Sequence, residues 1–231
     1  MKARANLHVH YSAGLYDKYS ERYLALYDQL LLRRMKEEFD PVAQSLSRVI
    51  LDVGTGTGRF LNRIRGNRQY DEFTVVGLDY FGDMIEIAEA NFRHLSSSTR
   101  PHFLVGDAHA LPFHDESVGL IISRSTIHHW ADPVAALREM YRVLCLGGIA
   151  LIHDVRRDPP PSALKEFNRQ RALAGVEPCR LEEKYTPAEL EHFVRQADLL
   201  EQGDITVRAN GLASLGMELL ITKTECSQSP R

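Results

Sequence analysis

The chain has 231 residues, 44% of them hydrophobic, with 28 Lys and Arg against 31 Asp and Glu and a formal charge of -3. That length and apolar share suit one α/β domain with a two-sided core, and the absence of a dense basic run excludes the electrostatic footprint of a dedicated nucleic-acid binder. Cys145, Cys179 and Cys226 form no Cys-x-x-Cys pair, which speaks against structural zinc and for a reducing compartment, with the cytoplasm as the expected location.

In chain order, Tyr16, Tyr19, Tyr23, Tyr27, Leu30, Leu31, Met35 and Phe39 recur at steps of three or four until Asp40-Pro41. This predicts an N-terminal amphipathic helix. Met1 to His10 lacks the apolar core of a signal peptide, and no run approaches the roughly 18 apolar residues of a membrane span. The tyrosine stripe has two readings. It packs on the sheet domain with each hydroxyl at an edge, or it brings Tyr11, Tyr16 or Tyr19 over a cationic ligand, which an aromatic face attracts.

Val49 to Val53 is a buried-strand pattern that breaks into Gly54-Thr55-Gly56-Thr57-Gly58 before a helix from Arg59 to Ile64. Glycines at alternate positions let the backbone turn sharply and approach a ligand closely. The spacing is one residue short of the dinucleotide fingerprint. Phe73 to Asp79 predicts a second strand ending in a carboxylate that can accept ribose hydroxyl hydrogens. After it, Met84, Ile87, Ala88 and Phe92 fall at helical spacing, so Met84 serves either an adenine contact or the core. A third strand, His102 to Val105, leads into Gly106-Asp107-Ala108.

A fourth strand, Val118 to Ser123, opens into Arg124-Ser125-Thr126-Ile127-His128-His129-Trp130. Asp132-Pro133 then caps a helix from Val134 to Leu144, which ends at Gly147-Gly148 before a fifth strand, Ile149 to Ile152. Asp158-Pro159-Pro160-Pro161 precedes a helix over Ser162 to Leu173, and Thr186-Pro187-Ala188-Glu189 is a capping box for another that buries Leu190, Phe193 and Val194. Ile205 to Arg208 and Met217 to Thr222 predict a closing antiparallel pair, and Thr224 to Arg231 a frayed tail.

These motifs in this order resemble the class I S-adenosylmethionine-dependent methyltransferases, in their small-molecule, methyltransferase type 11-like branch. The resemblance covers about Tyr16 to Asp154 and, more loosely, the C-terminal strands. It implies a Rossmann-like, doubly wound α/β fold: a seven-stranded, mostly parallel sheet with an antiparallel C-terminal strand, helices on both faces and an N-terminal helical lid. Residues 1–40 would then be the lid, 41–223 the cofactor-binding domain with a helical substrate cover at about 156–200, and 224–231 the tail. The cofactor implied is S-adenosylmethionine, leaving as S-adenosylhomocysteine. Its contacts would come from Asp52, Gly54, Thr55, Gly56 and Gly58, from Asp79, Tyr80 and Met84, from Asp107 and Ala108, and from Ser123 and Tyr16. Two positions depart from the family pattern: Cys145-Leu146-Gly147-Gly148 stands where Lys-Pro-Gly-Gly is usual, and Gly119 where an aspartate is common.

Methyl transfer from a sulfonium needs an acceptor held about 3 Å from the methyl and, for a protonated acceptor, a base. His128 and His129 are the candidate bases, with pocket wall as their other reading, because imidazole titrates near neutrality and both follow the fourth strand. His153-Asp154 points at the same crevice, with a cap or brace of the following loop as the other reading of Asp154. Phe167, Arg171 and Tyr185 are candidates for the acceptor pocket or for scaffold, and nothing in the spacing demands a metal. The expected partner is a small-molecule acceptor, with O, N and C all open. A membrane partner is not expected, nucleic acid is disfavoured because no Asn/Asp-Pro-Pro-Tyr tetrapeptide follows the fourth strand, and a homodimer or hetero-oligomer is left open. The alternatives to methyl transfer are a cyclisation or elimination that uses the same cofactor, and a binding subunit without catalysis.

Overall fold

The computed structural model describes residues 25–224 other than Ala174. Its strands are β1 Val49–Val53, β2 Thr74–Asp79, β3 His102–Val105, β4 Val118–Arg124, β5 Leu144–Val155, β6 Gly203–Asn210 and β7 Gly216–Lys223. They form one sheet in the order β3-β2-β1-β4-β5-β7-β6. The first five strands pair in parallel, and β7 runs antiparallel to both β5 and β6. This is the doubly wound arrangement that the motif order implies. Strand order reverses between β1 and β4, and in open sheets of this kind the ligand crevice lies beyond the carboxyl ends at that reversal.

Among the described residues six α-helices cover the sheet: α1 Ala25–Arg34, α2 Arg59–Arg65, α3 Gly82–Asn91, α4 Pro133–Val143, α5 Pro161–Leu173 and α6 Pro187–Gln196. Successive strand residues point to opposite faces, so an unbroken apolar run feeds two cores at once. Leu51, Ile121, Ala150, Ile152 and Leu219 pack with Leu137 and Met140 of α4 and Leu190 and Val194 of α6. On the other face, Ile50, Leu120, Ile122 and Leu151 pack with Leu31, Met35, Phe39, Phe60 and Leu61.

Leu31, Met35 and Phe39 are fully buried, so this end of the N-terminal stripe packs on the sheet domain. Its last turn, Met35–Phe39, is a π-helix closed by Asp40 N–H donating to Met35 O at 3.0 Å, wider than the uniform helix the spacing predicts. Tyr11, Tyr16, Tyr19 and Tyr23 lie outside the described residues.

The fifth strand is longer than expected. Rather than starting at Ile149 behind a Gly147-Gly148 turn, β5 begins at Leu144, and the glycines form a bulge within it. Val118 pairs with Leu144 and Leu120 with Ile149, and Gly147 takes up the slack at a φ of 75°. Gly119 faces this irregularity, and a Cβ there would lie 2.1 Å from the Ser47 carbonyl oxygen. The missing aspartate is therefore a steric requirement of this chain. Both helix starts read from the sequence are built: Asp132 accepts from Ala135 N–H at 3.0 Å, and Thr186 and Glu189 bond reciprocally as a capping box.

Candidate active site

The glycine loop is pinned across the sheet. Gly54 and Thr55 N–H groups both donate to Leu78 O, at 2.7 and 3.0 Å, while Gly54, Gly56 and Gly58 take φ values of 75°, 56° and 75°. A Cβ on Gly54 would lie 2.3 Å from Thr126 Cγ2, so the turn after β4 closes directly on the loop after β1. Ser123 ties the two strands beneath. Its hydroxyl, fully buried, donates to Val53 O at 2.9 Å and pairs with Thr126 Oγ1 at 2.5 Å, which makes it a brace of the crevice floor.

Three carboxylates follow successive strand ends. Asp52 is buried and accepts from Thr55 Oγ1 at 2.9 Å. Burial pushes its carboxyl up to about 6, outweighing the Thr55 bond and the Arg124 charge, with Asp79 and Asp28 adding to the rise. Asp79 accepts from Gly56 N–H at 2.7 Å and Phe81 N–H at 3.1 Å, which links the glycine loop to the end of β2. Burial raises its pKa against the pull of those bonds and of Tyr80 N–H. Asp107 is more open, with 45% of its side chain exposed. It accepts from His109 N–H at 2.9 Å and bonds the His109 ring, and these contacts outweigh partial burial and lower its pKa.

Tyr80, Phe81 and Val105, all exposed, lie beside those acids at the ends of β2 and β3 and offer apolar faces to a flat ring. Met84 is half-buried on α3, and the Ala108 side chain belongs to the core.

Beyond β4, the two predicted histidines sit on a 3₁₀ turn, Ile127–His129, with ring centroids 3.8 Å apart. Their environments differ. His128 is buried, with Nδ1 2.5 Å from Asp154 Oδ2 and Nε2 2.5 Å from Lys184 Nζ. Because the carboxylate accepts at Nδ1–H, Nε2 holds the lone pair that takes the lysine hydrogen. Burial alone would raise the Asp154 carboxyl, but His128 and Lys184 hold it well below the carboxylate range. His129 keeps an exposed edge, and its imidazole is held below the usual range by partial burial and then by His128 and Lys184.

The other face of β5 carries a second polar group. Arg124, His153, Glu218 and Arg208 are register neighbours across β4, β5, β7 and β6. Fully buried Glu218 accepts from His153 Nε2 at 2.7 Å, from Arg34 Nε at 3.0 Å and from Arg208 Nη2 at 2.7 Å. Arg124 Nη1 bonds Asp28 of α1 at 2.5 Å. Sequence reading missed Glu218, although a lone acid inside the apolar run Met217 to Ile221 is a visible signal, since a buried charge needs partners. Lys184 had no such signal, because only the folded chain brings it to His128.

Comparison with known proteins settles the family. Residues 51–152 match the model of a methyltransferase domain. A demethylmenaquinone methyltransferase from Roseiflexus castenholzii is 32% identical over 186 residues, covering 71% of both chains. The chain belongs to the class I S-adenosylmethionine-dependent methyltransferases. A malonyl-[acyl-carrier protein] O-methyltransferase from a Marinomonas species is 27% identical over 152 residues, 66% of this methyltransferase and 52% of that one. The plantazolicin methyltransferase BpumL, in complex with a pentazolic desmethylPZN analog and S-adenosylhomocysteine, shares the fold at a TM-score of 0.71 and 16% identity over 92% of this chain and 90% of its own.

The methyltransferase is thus an enzyme whose cofactor is S-adenosylmethionine, and its residues fit that cofactor chemically. Buried Asp52 and Asp79 suit its hydrogen-bond donors and positive charge, and the apolar faces beside Asp107 suit its purine.

Proposed function

We propose that this methyltransferase transfers its methyl to a small-molecule acceptor seated beyond the ends of β4 and β5, as a cytoplasmic enzyme. The contact of Thr126 with Gly54 carries the reading, because it puts the His128-His129 turn against the loop that leads from β1. Relatives that methylate demethylmenaquinone and a malonyl carrier-protein thioester support an acceptor of metabolite size. Asp79 would accept from the ribose hydroxyls and Asp107 from the adenine amino group, with Tyr80 and Met84 against the ring. Gly54 to Gly58 with Thr55 would carry the methionine end near Asp52, above Ser123, and Ala108 would lie beside the adenine site.

The bound cofactor supplies an activated methyl on a sulfonium. The chain's own part is to hold the acceptor in line and remove a proton where the acceptor carries one. His129 is the residue for that proton, since it keeps an exposed edge while both ring nitrogens of His128 are engaged by Asp154 and Lys184. Residues 156–200 would form the substrate cover and residues 1–40 the lid, with Tyr16 over the cofactor. Incubation with labelled S-adenosylmethionine and a panel of quinols, thioester acids and amines tests the proposal. Label moving to one acceptor is expected, and cofactor consumption without methylated product would overturn it.

A further inference from the structure

Lys184 is a largely buried cation of the cover segment. Four other cations of that segment bond carboxylates, Arg156 with Asp158 at 2.7 Å, Arg157 with Glu189 at 2.6 Å, Arg169 with Glu166 at 2.7 Å and Arg180 with Glu183 at 3.3 Å, and half-exposed Arg195 lies 3.9 Å from Glu191. Lys184 Nζ instead donates to an imidazole, His128 Nε2, and its nearest carboxylate oxygen, Asp154 Oδ1, stands 3.8 Å away, beyond hydrogen-bond reach. Its side chain is only 12% exposed. A desolvated ammonium with three hydrogens and a single neutral acceptor is poised for an anion. Its backbone is held in place: Lys184 N–H donates to Leu181 O at 3.0 Å, and Arg157 N–H donates to Tyr185 O at 2.9 Å.

We propose that Lys184 and His128 together form the subsite for an acidic oxygen of the acceptor, either a carboxylate or an enolate. This rests on the reading that the acceptor lies beyond β4 and β5. An arriving anion accepts from Lys184 Nζ and draws it off His128. The anion thus takes the place of the imidazole as the acceptor of the Lys184 hydrogen, while Nδ1 of His128 stays on Asp154. The other titratable groups around the subsite are His129, its ring tilted at 44° to that of His128, and Cys179, whose thiol is raised by burial and by Asp154 and Glu182 against the pull of Lys184 and Arg171.

The test uses the full chain loaded with S-adenosylhomocysteine, with acetate as the acidic probe and acetamide as its neutral counterpart. The Nε2 resonance of His128, followed by ¹⁵N NMR at pH 7.5, should shift saturably with acetate as it loses the Lys184 hydrogen bond, and stay fixed with acetamide. Lys184→Met should weaken the acetate response roughly tenfold or more, the loss of one charge-assisted bond, and Lys184→Arg should keep most of it. Equal responses to the two probes, no saturable acetate response up to tens of millimolar, or an unchanged response in Lys184→Met would each overturn the subsite. Affinity for S-adenosylhomocysteine in the same samples reports folding and the cofactor site independently. Transfer of label to a neutral amine alone, in the acceptor panel, would instead overturn the acidic class while leaving methyl transfer standing.

Discussion

Asp79 spends a lone pair of each oxygen on a backbone N–H, one from Gly56 and one from Phe81. An ionised carboxylate offers about four acceptor sites, so capacity remains beside these bonds and the Tyr80 N–H for a ribose hydroxyl. Asp79→Ala should therefore weaken cofactor binding by roughly 1.5–3 kcal/mol and also slacken the glycine loop. Calorimetry that found unchanged affinity in the folded variant would remove Asp79 from the site. Asp52 adds a pH signature. Its carboxyl titrates at about 6, so the negative charge that complements a cationic cofactor is present above that pH and is lost as pH falls through it. Affinity for S-adenosylmethionine should drop between pH 7 and 5, and Asp52→Asn should flatten that dependence. Equal slopes for the two proteins would assign the effect elsewhere.

Elements were legible wherever local chemistry decides them. β1 and β3 match their sequence bounds to the residue, and both capping signals are built, because period, turn glycines and side-chain caps act over a few neighbours. β5 was legible only in part, since its bulge depends on a partner strand and on the Ser47 carbonyl against Gly119, contacts that no window of sequence contains. The site divides the same way. The acids at the strand ends follow from position, whereas Lys184 reaches His128 across 56 positions of chain, and the Glu218 cluster joins four separate elements. Two substitutions test the local rules. Thr186→Ala removes a capping box and should cost about 1 kcal/mol in urea unfolding. Gly54→Ala combines a φ of 75° with a clash against Thr126, so it should impair cofactor binding more than it lowers the melting temperature. A variant with normal affinity would show that the turn at Thr126 gives way freely.

Across the whole molecule, Glu218 couples α1 to the C-terminal strands. Burial would raise its carboxyl, but His153 and Arg34 hold it at about 2, below its ordinary 4.5. Its stabilisation, on the order of 3 kcal/mol, is fully present above the ordinary value and is lost as pH falls toward 2. The stability difference between wild type and Glu218→Gln should accordingly be level above pH 5 and shrink below it, and a difference that grew on acidification would contradict this. The same residue has a consequence for assembly of the sheet. Strand side chains alternate with a period of two, so a slip of β7 by one residue would set Met217 or Leu219 opposite His153 and carry the acid to the oily face. Arg34 and His153 would lose their anion together, a penalty that a purely aliphatic strand could not impose. The ladder thus works as a proofreading key: β7 fits between β5 and β6 in one alignment, and the neighbouring alignments are penalised by charge.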